Sequence, residues 1–167
     1  YVPDGHWCQN ASRKINPPEA DAIVATIVKL CKDERYDNCT MGVVALQGGL
    51  DQAHAISSRL RKELSPMEIK KRRLICGDAR SFQGDARDIM FLSMVVAPDG
   101  RYMALTTSDA EQRFNVAMTR ARDQVWLFHS VSLDELSHNP RDLRYRLLSY
   151  FQSYDKLALS EERAEEV

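Results

Sequence analysis

An α/β fold with a mostly parallel sheet, covered by helices on both faces, is what the sequence predicts, and three observations carry that expectation. Short apolar runs rich in β-branched residues alternate along the chain with stretches of helical period. The run Met41 to Leu46 exits into Gln47-Gly48-Gly49 and then into a helical stripe, as in a strand that feeds a helix. The chain has 167 residues, 44% hydrophobic and 28% charged, close to a globular average and enough for about one domain with a sizeable core.

The elements follow in order. Residues 1–12, with Pro3, Gly5 and Asn10, read as an irregular lead-in. Asn16 is placed to cap a helix whose first positions are Pro17 and Pro18, and Glu19 stands three after the cap, as in a capping box. Ile23, Val24, Ile27, Leu30 and Cys31 continue the helical period to about residue 32. Met41 to Leu46 is the first strand. The next helix carries Ala53, Ile56, Leu60 and Leu64 on one stripe and ends near Ser65-Pro66. Leu74 to Cys76, Ile89 to Ala97 and Val125 to His129 are the remaining strand candidates. Asp109 to Arg122 is helical by period, with Phe114, Ala117, Met118 and Ala121 on one face. Asn139-Pro140 repeats the cap-then-proline start, and Leu143, Leu147, Leu148 and Phe151 give a last helix. The expected organisation is one domain over 13–156 followed by an acidic tail, 157–167, that frays from about Ser160.

Composition narrows the function classes. Twenty-three Lys and Arg against 24 Asp and Glu give a formal charge of −1, so a strongly basic surface is not the basis of any nucleic-acid binding, while a local basic stripe stays open. Cys8, Cys31, Cys39 and Cys76 show no C-x-x-C and no regular spacing, which argues for reduced thiols; His6 and Cys8 lack a second ligand pair, so no metal site is expected. No apolar run is long enough to span a bilayer and no charged-then-apolar leader opens the sequence, which points to a cytoplasmic protein without a membrane partner. The start at Tyr1 rather than Met suggests a piece of a longer polypeptide.

Open α/β sheets bind ligands outside the carboxyl ends of their strands, which directs attention to connecting loops. Residues 77–88 follow a strand and hold Gly77 and Gly84, which permit close backbone approach to a phosphate; taken alone, ordinary turn chemistry explains them as well. Arg113 and Arg120 lie seven apart, within roughly 20° of one another on an α-helix, so one ridge can present two guanidinium groups to phosphate. Taken alone, a solvated arginine face paired with Asp109, Glu111 or Asp123 is the more economical reading.

Together the two stretches have a specific counterpart. Ser81-Phe82-Gln83-Gly84-Asp85 before the apolar run 89–95 resembles motif V of superfamily 1 helicases, in the Upf1-like branch. Arg113-Phe114-Asn115-Val116-Ala117-Met118-Thr119-Arg120-Ala121-Arg122 resembles motif VI, and Gly42-Val43-Val44-Ala45-Leu46 with Gln52 resembles motif IV. The resemblance covers about residues 40–130, with the motifs in order. It implies the C-terminal RecA-like domain, a P-loop NTPase-like three-layer fold, of an ATP-dependent DNA or RNA helicase, DNA being favoured and a bacterial source implied.

The resemblance also implies roles. Arg120 supplies the arginine finger that stabilises charge on the transferring phosphoryl group. Gln83 and Gly84 border the nucleotide, Arg113 orients motif VI and joins the ATP-binding set, and Arg80 and Ser81 are candidates for contact with single-stranded nucleic acid. ATP and Mg²⁺ belong to the intact parent, bound mainly by an N-terminal RecA-like domain of the same polypeptide.

Two departures stand out. Ala86 replaces the family's acidic residue near the ribose, with Asp85 and Asp88 as candidate substitutes, and Ala53 stands where many relatives place a second arginine directly after the motif IV glutamine. No G-x-x-x-x-G-K-[ST] and no strand ending in D-E is present, so the chain alone is not expected to hydrolyse ATP. A non-catalytic nucleic-acid-binding or regulatory module that kept the fold is the alternative. An independent small-molecule enzyme is disfavoured because no nucleophile with a partnered base is visible, and His54, His129 and His138 stand without one.

Overall fold

The computed structural model describes residues 1–8, 14–100, 102–136 and 139–165, with side chains in the last helix described to Tyr154. His138 and the last two residues of the expected tail lie outside the described residues. Strands β1 (Met41–Ala45), β2 (Ile75–Gly77), β3 (Arg87–Ser93) and β4 (Ala121–Phe128) form one sheet in the order β2-β1-β3-β4, parallel throughout. Helices α1 (Pro17–Cys31), α2 (Asp51–Glu63), α3 (Pro66–Lys71), α4 (Ser108–Met118), α5 (Leu133–Leu136) and α6 (Leu143–Glu165) surround it, with 3₁₀ turns at Glu34–Tyr36 and Ala79–Phe82. Alternation along β3 divides the core: Ile89 and Phe91 pack with Ile23 and Ile27 of α1 and Ile56 and Leu60 of α2, while Met90 and Leu92 pack with Phe114 of α4 and Leu147 and Leu148 of α6. This is the expected three-layer α/β arrangement, consistent with a RecA-like fold.

Local chemistry explains most boundaries. Asn16 caps α1 by accepting the Glu19 N–H at 3.2 Å, with Pro17 and Pro18 in the first turn. The expected capping box does not close: the Asn16 N–H goes instead to Gln52 Oε1 at 2.9 Å, and the Glu19 carboxyl turns into the core. Helix α2 ends at Glu63, close to the expected limit at Ser65-Pro66, and Ser65 then caps α3, a short helix absent from the expected elements. Asn139 does not start the last helix; its Oδ1 accepts the Arg141 N–H, and α6 begins at Leu143, where Asp142 accepts from Arg144 N. The helical backbone then continues to Glu165, past the expected domain limit at 156.

Two shifts bear on the site. Strand β3 stops at Ser93 instead of running to Ala97, because Val95 takes φ 71°, a left-handed conformation that leaves the ladder. Helix α4 stops at Met118, with Thr119 as its C-cap, and the chain enters β4 directly; the expected helix to Arg122 and strand from Val125 are both corrected. No described helix is long and apolar enough to cross a membrane.

Candidate functional site

The motif V stretch turns sharply after β2. Asp78 accepts from the Ser81 N–H at 3.0 Å and from the Ser81 hydroxyl at 2.8 Å, which fixes the 3₁₀ turn and brings Phe82 into the core. Gly84 follows at φ 77°, so the backbone conformation requires glycine there, while the space beside it is open.

Helix α4 packs against this turn, and a cleft of 170 Å³ lies between them, lined by Ala79, Arg80, Gln83, Asp109, Gln112, Arg113 and Val116. Three predicted site residues, Arg80, Gln83 and Arg113, therefore meet at one place. Asp109 joins the two motifs: its carboxylate lies 3.3 Å from Arg113 and 3.7 Å from Arg80. Part of the solvated-face reading holds for Arg113 through this pair. Arg113 Nε, however, is buried and has no hydrogen-bond acceptor among the described residues.

Arg120 is elsewhere. Because α4 ends two residues earlier, Arg113 and Arg120 do not share a helical ridge; Arg120 sits where the chain enters β4, and its carbonyl accepts the Arg87 N–H at 3.0 Å. Its guanidinium reaches only the Thr119 hydroxyl, at 3.3 Å, and among the described residues it has no carboxylate partner. Arg120 Nε is also buried without an acceptor among the described residues. Arg120 and Asp85 thus stand at the entry ends of β4 and β3, not at the carboxyl ends to which the sheet rule pointed.

The acids beside Ala86 are already engaged. Asp85 lies 2.7 Å from the buried Arg87 and 3.5 Å from Arg73, and its hydrogen bond with Arg87 holds the carboxyl below the usual range. Asp88 accepts from the Thr40 hydroxyl and Thr40 N–H, both at 2.7 Å, and lies 3.5 Å from Arg122; the Thr40 bonds hold it low. Both carboxylates are thus ionised structural clamps at the entry to β3.

The motif IV residues face inward. Gln52 is fully buried, exchanging hydrogen bonds with the Asn16 backbone and donating to Ser93 Oγ at 3.1 Å. Ala53 is buried against Ala45 and Val95, so an arginine at this position has no room to reach out of the core. The absent second arginine is therefore a matter of packing in this chain, not a finger deleted from an open position.

Three influential residues are not among the expected site residues; Glu19 is expected only as part of a capping box. Glu19 is buried, and desolvation pushes its carboxyl up to about 7 against the hydrogen bonds it accepts. Arg144 is buried in α6; it pairs with Asp142, donates to the Met103 carbonyl at 2.8 Å and covers the Tyr102 ring at 4.7 Å. Burial raises Asp142, but its bonds from Arg144 prevail and leave it below the usual range. Trp7 donates through Nε1 to the Val95 carbonyl at 3.0 Å. A signal existed for two of them: Glu19 lies on the stripe of Ile23 and Ile27, and Arg144 on that of Leu147, Leu148 and Phe151.

His54 is exposed, and His129 is half-buried with Nδ1 on the Val131 carbonyl. All four thiols are free, Cys76 being pushed up to about 12 by burial. Among the described residues no three His, Cys, Asp or Glu side chains gather as metal ligands.

A protein-family model described as an AAA domain matches residues 4–132, which takes in the sheet, the cleft and Arg120. No curated protein matches the chain.

Proposed function

Because this chain belongs to the AAA domain family and is a superfamily 1 helicase-like domain, we propose that it is the C-terminal motor half of an ATP-dependent DNA helicase or translocase. One observation carries the reading: Arg113 and Arg120, two of the three motif VI arginines, each bury an Nε–H with no acceptor among the described residues. Leaving a buried donor unsatisfied costs about 1–3 kcal/mol, and more for a charged group, so such a site calls for an acceptor from outside the chain, water or an anion. Phosphate oxygens fit it, being negative and accepting the guanidinium fork.

The residues divide the work. Arg120, whose guanidinium has no carboxylate partner among the described residues, presents it to the nucleotide phosphate held by the N-terminal RecA-like domain of the parent, and stabilises the charge that develops there. Hydrolysis of ATP with Mg²⁺ supplies the free energy for movement along the strand. Gln83 and Gly84 form the nucleotide border, the open side of Gly84 leaving room for close approach. Arg113 holds motif VI against motif V through Asp109. Arg80, largely exposed, offers a guanidinium to a strand phosphate, whereas the Ser81 hydroxyl is committed to Asp78. DNA is favoured over RNA, in a bacterial cytoplasm.

The chain alone lacks a phosphate cradle and is inactive in hydrolysis on this account. A non-catalytic regulatory module is the second reading. It is favoured by Ala86 and by the commitment of Asp85 and Asp88 to their clamps, which leaves the ribose without an evident acidic partner. ATP turnover by the intact parent, measured with and without single-stranded DNA, separates the two: the motor reading expects stimulated hydrolysis, and strand binding without hydrolysis would establish the regulatory one.

A further inference from the structure

Five buried polar side chains, Asn16, Glu19, Gln52, Ser93 and Ser130, meet where α1, α2, the end of β3 and the segment after β4 converge. Glu19 Oε1 accepts from the Ser93 hydroxyl at 2.6 Å and from the Val95 N–H at 2.8 Å. Oε2 lies farther from its neighbours, 3.4 Å from Asn16 Nδ2 and 3.3 Å from Ser130 Oγ, a hydroxyl that can accept the proton of a neutral carboxyl. Val95 is a β-branched residue at φ 71°, a strained conformation that persists only where its surroundings impose it. Those surroundings are identifiable. Glu19 holds the Val95 N–H, Trp7 Nε1 holds its carbonyl, and the Trp7 N–H is anchored on Asp99 at 3.1 Å. A Cβ at Gly100 would fall 2.8 Å from the indole, so the turn closes directly on the Trp7 ring.

We infer that Glu19 is a proton-operated latch on the segment leaving β3: its neutral carboxyl keeps Val95 strained with Trp7 seated on it, and ionisation lets the segment relax. The groups facing Glu19 from α1, α2 and β3 are the neutral Asn16, Gln52 and Ser93, so its charge has no cationic partner among the described residues. From beyond β4, Ser130 adjoins His129, whose Nδ1 is on the Val131 carbonyl and whose own value burial holds low. Around Trp7 stand Asp99 and Lys14, the ammonium 5.9 Å from the ring centroid. An anion formed in this neutral cage draws water, and Val95 is where opening regains stored strain. Burial places the Glu19 transition near neutrality, at about 7.

The test uses the whole chain with Trp126→Phe, which leaves Trp7 as the single indole of the two. Its emission, followed between about pH 5 and about pH 9, is expected to shift to the red in one single-proton step near neutrality. Glu19→Gln should abolish the step and His129→Gln should leave it. A flat profile, a step that survives Glu19→Gln, or one lost in His129→Gln overturns the latch. If Glu19→Gln does not fold, nuclear magnetic resonance on the unaltered chain decides: the Glu19 carboxyl carbon and the Val95 amide should titrate together near neutrality. A Val95 amide that ignores Glu19, or a Glu19 that titrates in the ordinary carboxylate range, overturns it equally.

Discussion

The Asp109 carboxylate lies 3.3 Å from the Arg113 guanidinium, one turn further along α4, and reaches across the cleft to within 3.7 Å of Arg80. One acid thus neutralises two of the cations at the motif V and VI junction. The Asp109 side chain is 59% exposed, so these pairs contribute little to folding. Asp109→Asn is expected to change unfolding free energy in urea by less than about 1 kcal/mol. The same variant should bind inorganic pyrophosphate more tightly in a calorimetric titration, with the gain shrinking as salt is raised. Unaltered or weaker binding would show that Asp109 does not restrain the arginines.

Glu19 makes stability depend on pH in one direction. Its folded value, about 7, is above its ordinary 4.5, so the stability it contributes is complete below pH 4.5 and is lost as pH rises through 7. The shift corresponds to about 3 kcal/mol. Chemical denaturation at a series of pH values should show this decline in the native chain and a flatter profile in Glu19→Gln.

Gly84 is constrained by its backbone and not by its neighbours, since φ is 77° and nothing stands within 4 Å of the place a Cβ would take. Gly84→Ala is therefore expected to destabilise by about 1–2 kcal/mol, the cost of a left-handed L-residue, without repacking. Urea unfolding measures the loss, and an unchanged melt would show that the turn relaxes freely.

Arg144 and Asp142 are both buried, and together they hold the approach to α4: Asp142 accepts the Leu105 N–H at 3.2 Å while Arg144 donates to the Met103 carbonyl. Removing one member leaves the other unpaired in the core. Arg144→Met should destabilise by about 3–5 kcal/mol, and the joint Arg144→Met, Asp142→Leu replacement should cost less than that. Hydrogen exchange at the Leu105 amide should quicken in the single variant.

Much of this architecture was legible in the residues. The Asn16-Pro17-Pro18 start of α1 and the apolar runs of β1 and β3 follow directly from capping and strand chemistry, whereas the meeting of Arg80, Gln83 and Arg113 at one cleft is visible only in the structure, since the motifs set Arg80 apart as a nucleic-acid contact. The end of α4 was not legible, because Phe114, Ala117, Met118 and Ala121 keep helical spacing through a chain that the Arg87 ladder bond draws into β4. Val95 was hidden for a similar reason: a valine in an apolar run reads as strand, and only the tertiary contacts of Glu19 and Trp7 impose its left-handed turn. Glu19 itself has the spacing of a capping box, but its carboxyl is claimed by Ser93 and Val95, far along the chain.

Arg120 carries the central claim, and steady-state ATP hydrolysis by the intact parent, saturated with single-stranded DNA, tests it most directly. Arg120→Ala should lower kcat by roughly 10³-fold or more, on the scale of arginine fingers, while strand binding is retained. An Arg120→Ala parent that hydrolyses ATP at the native rate would contradict the assignment.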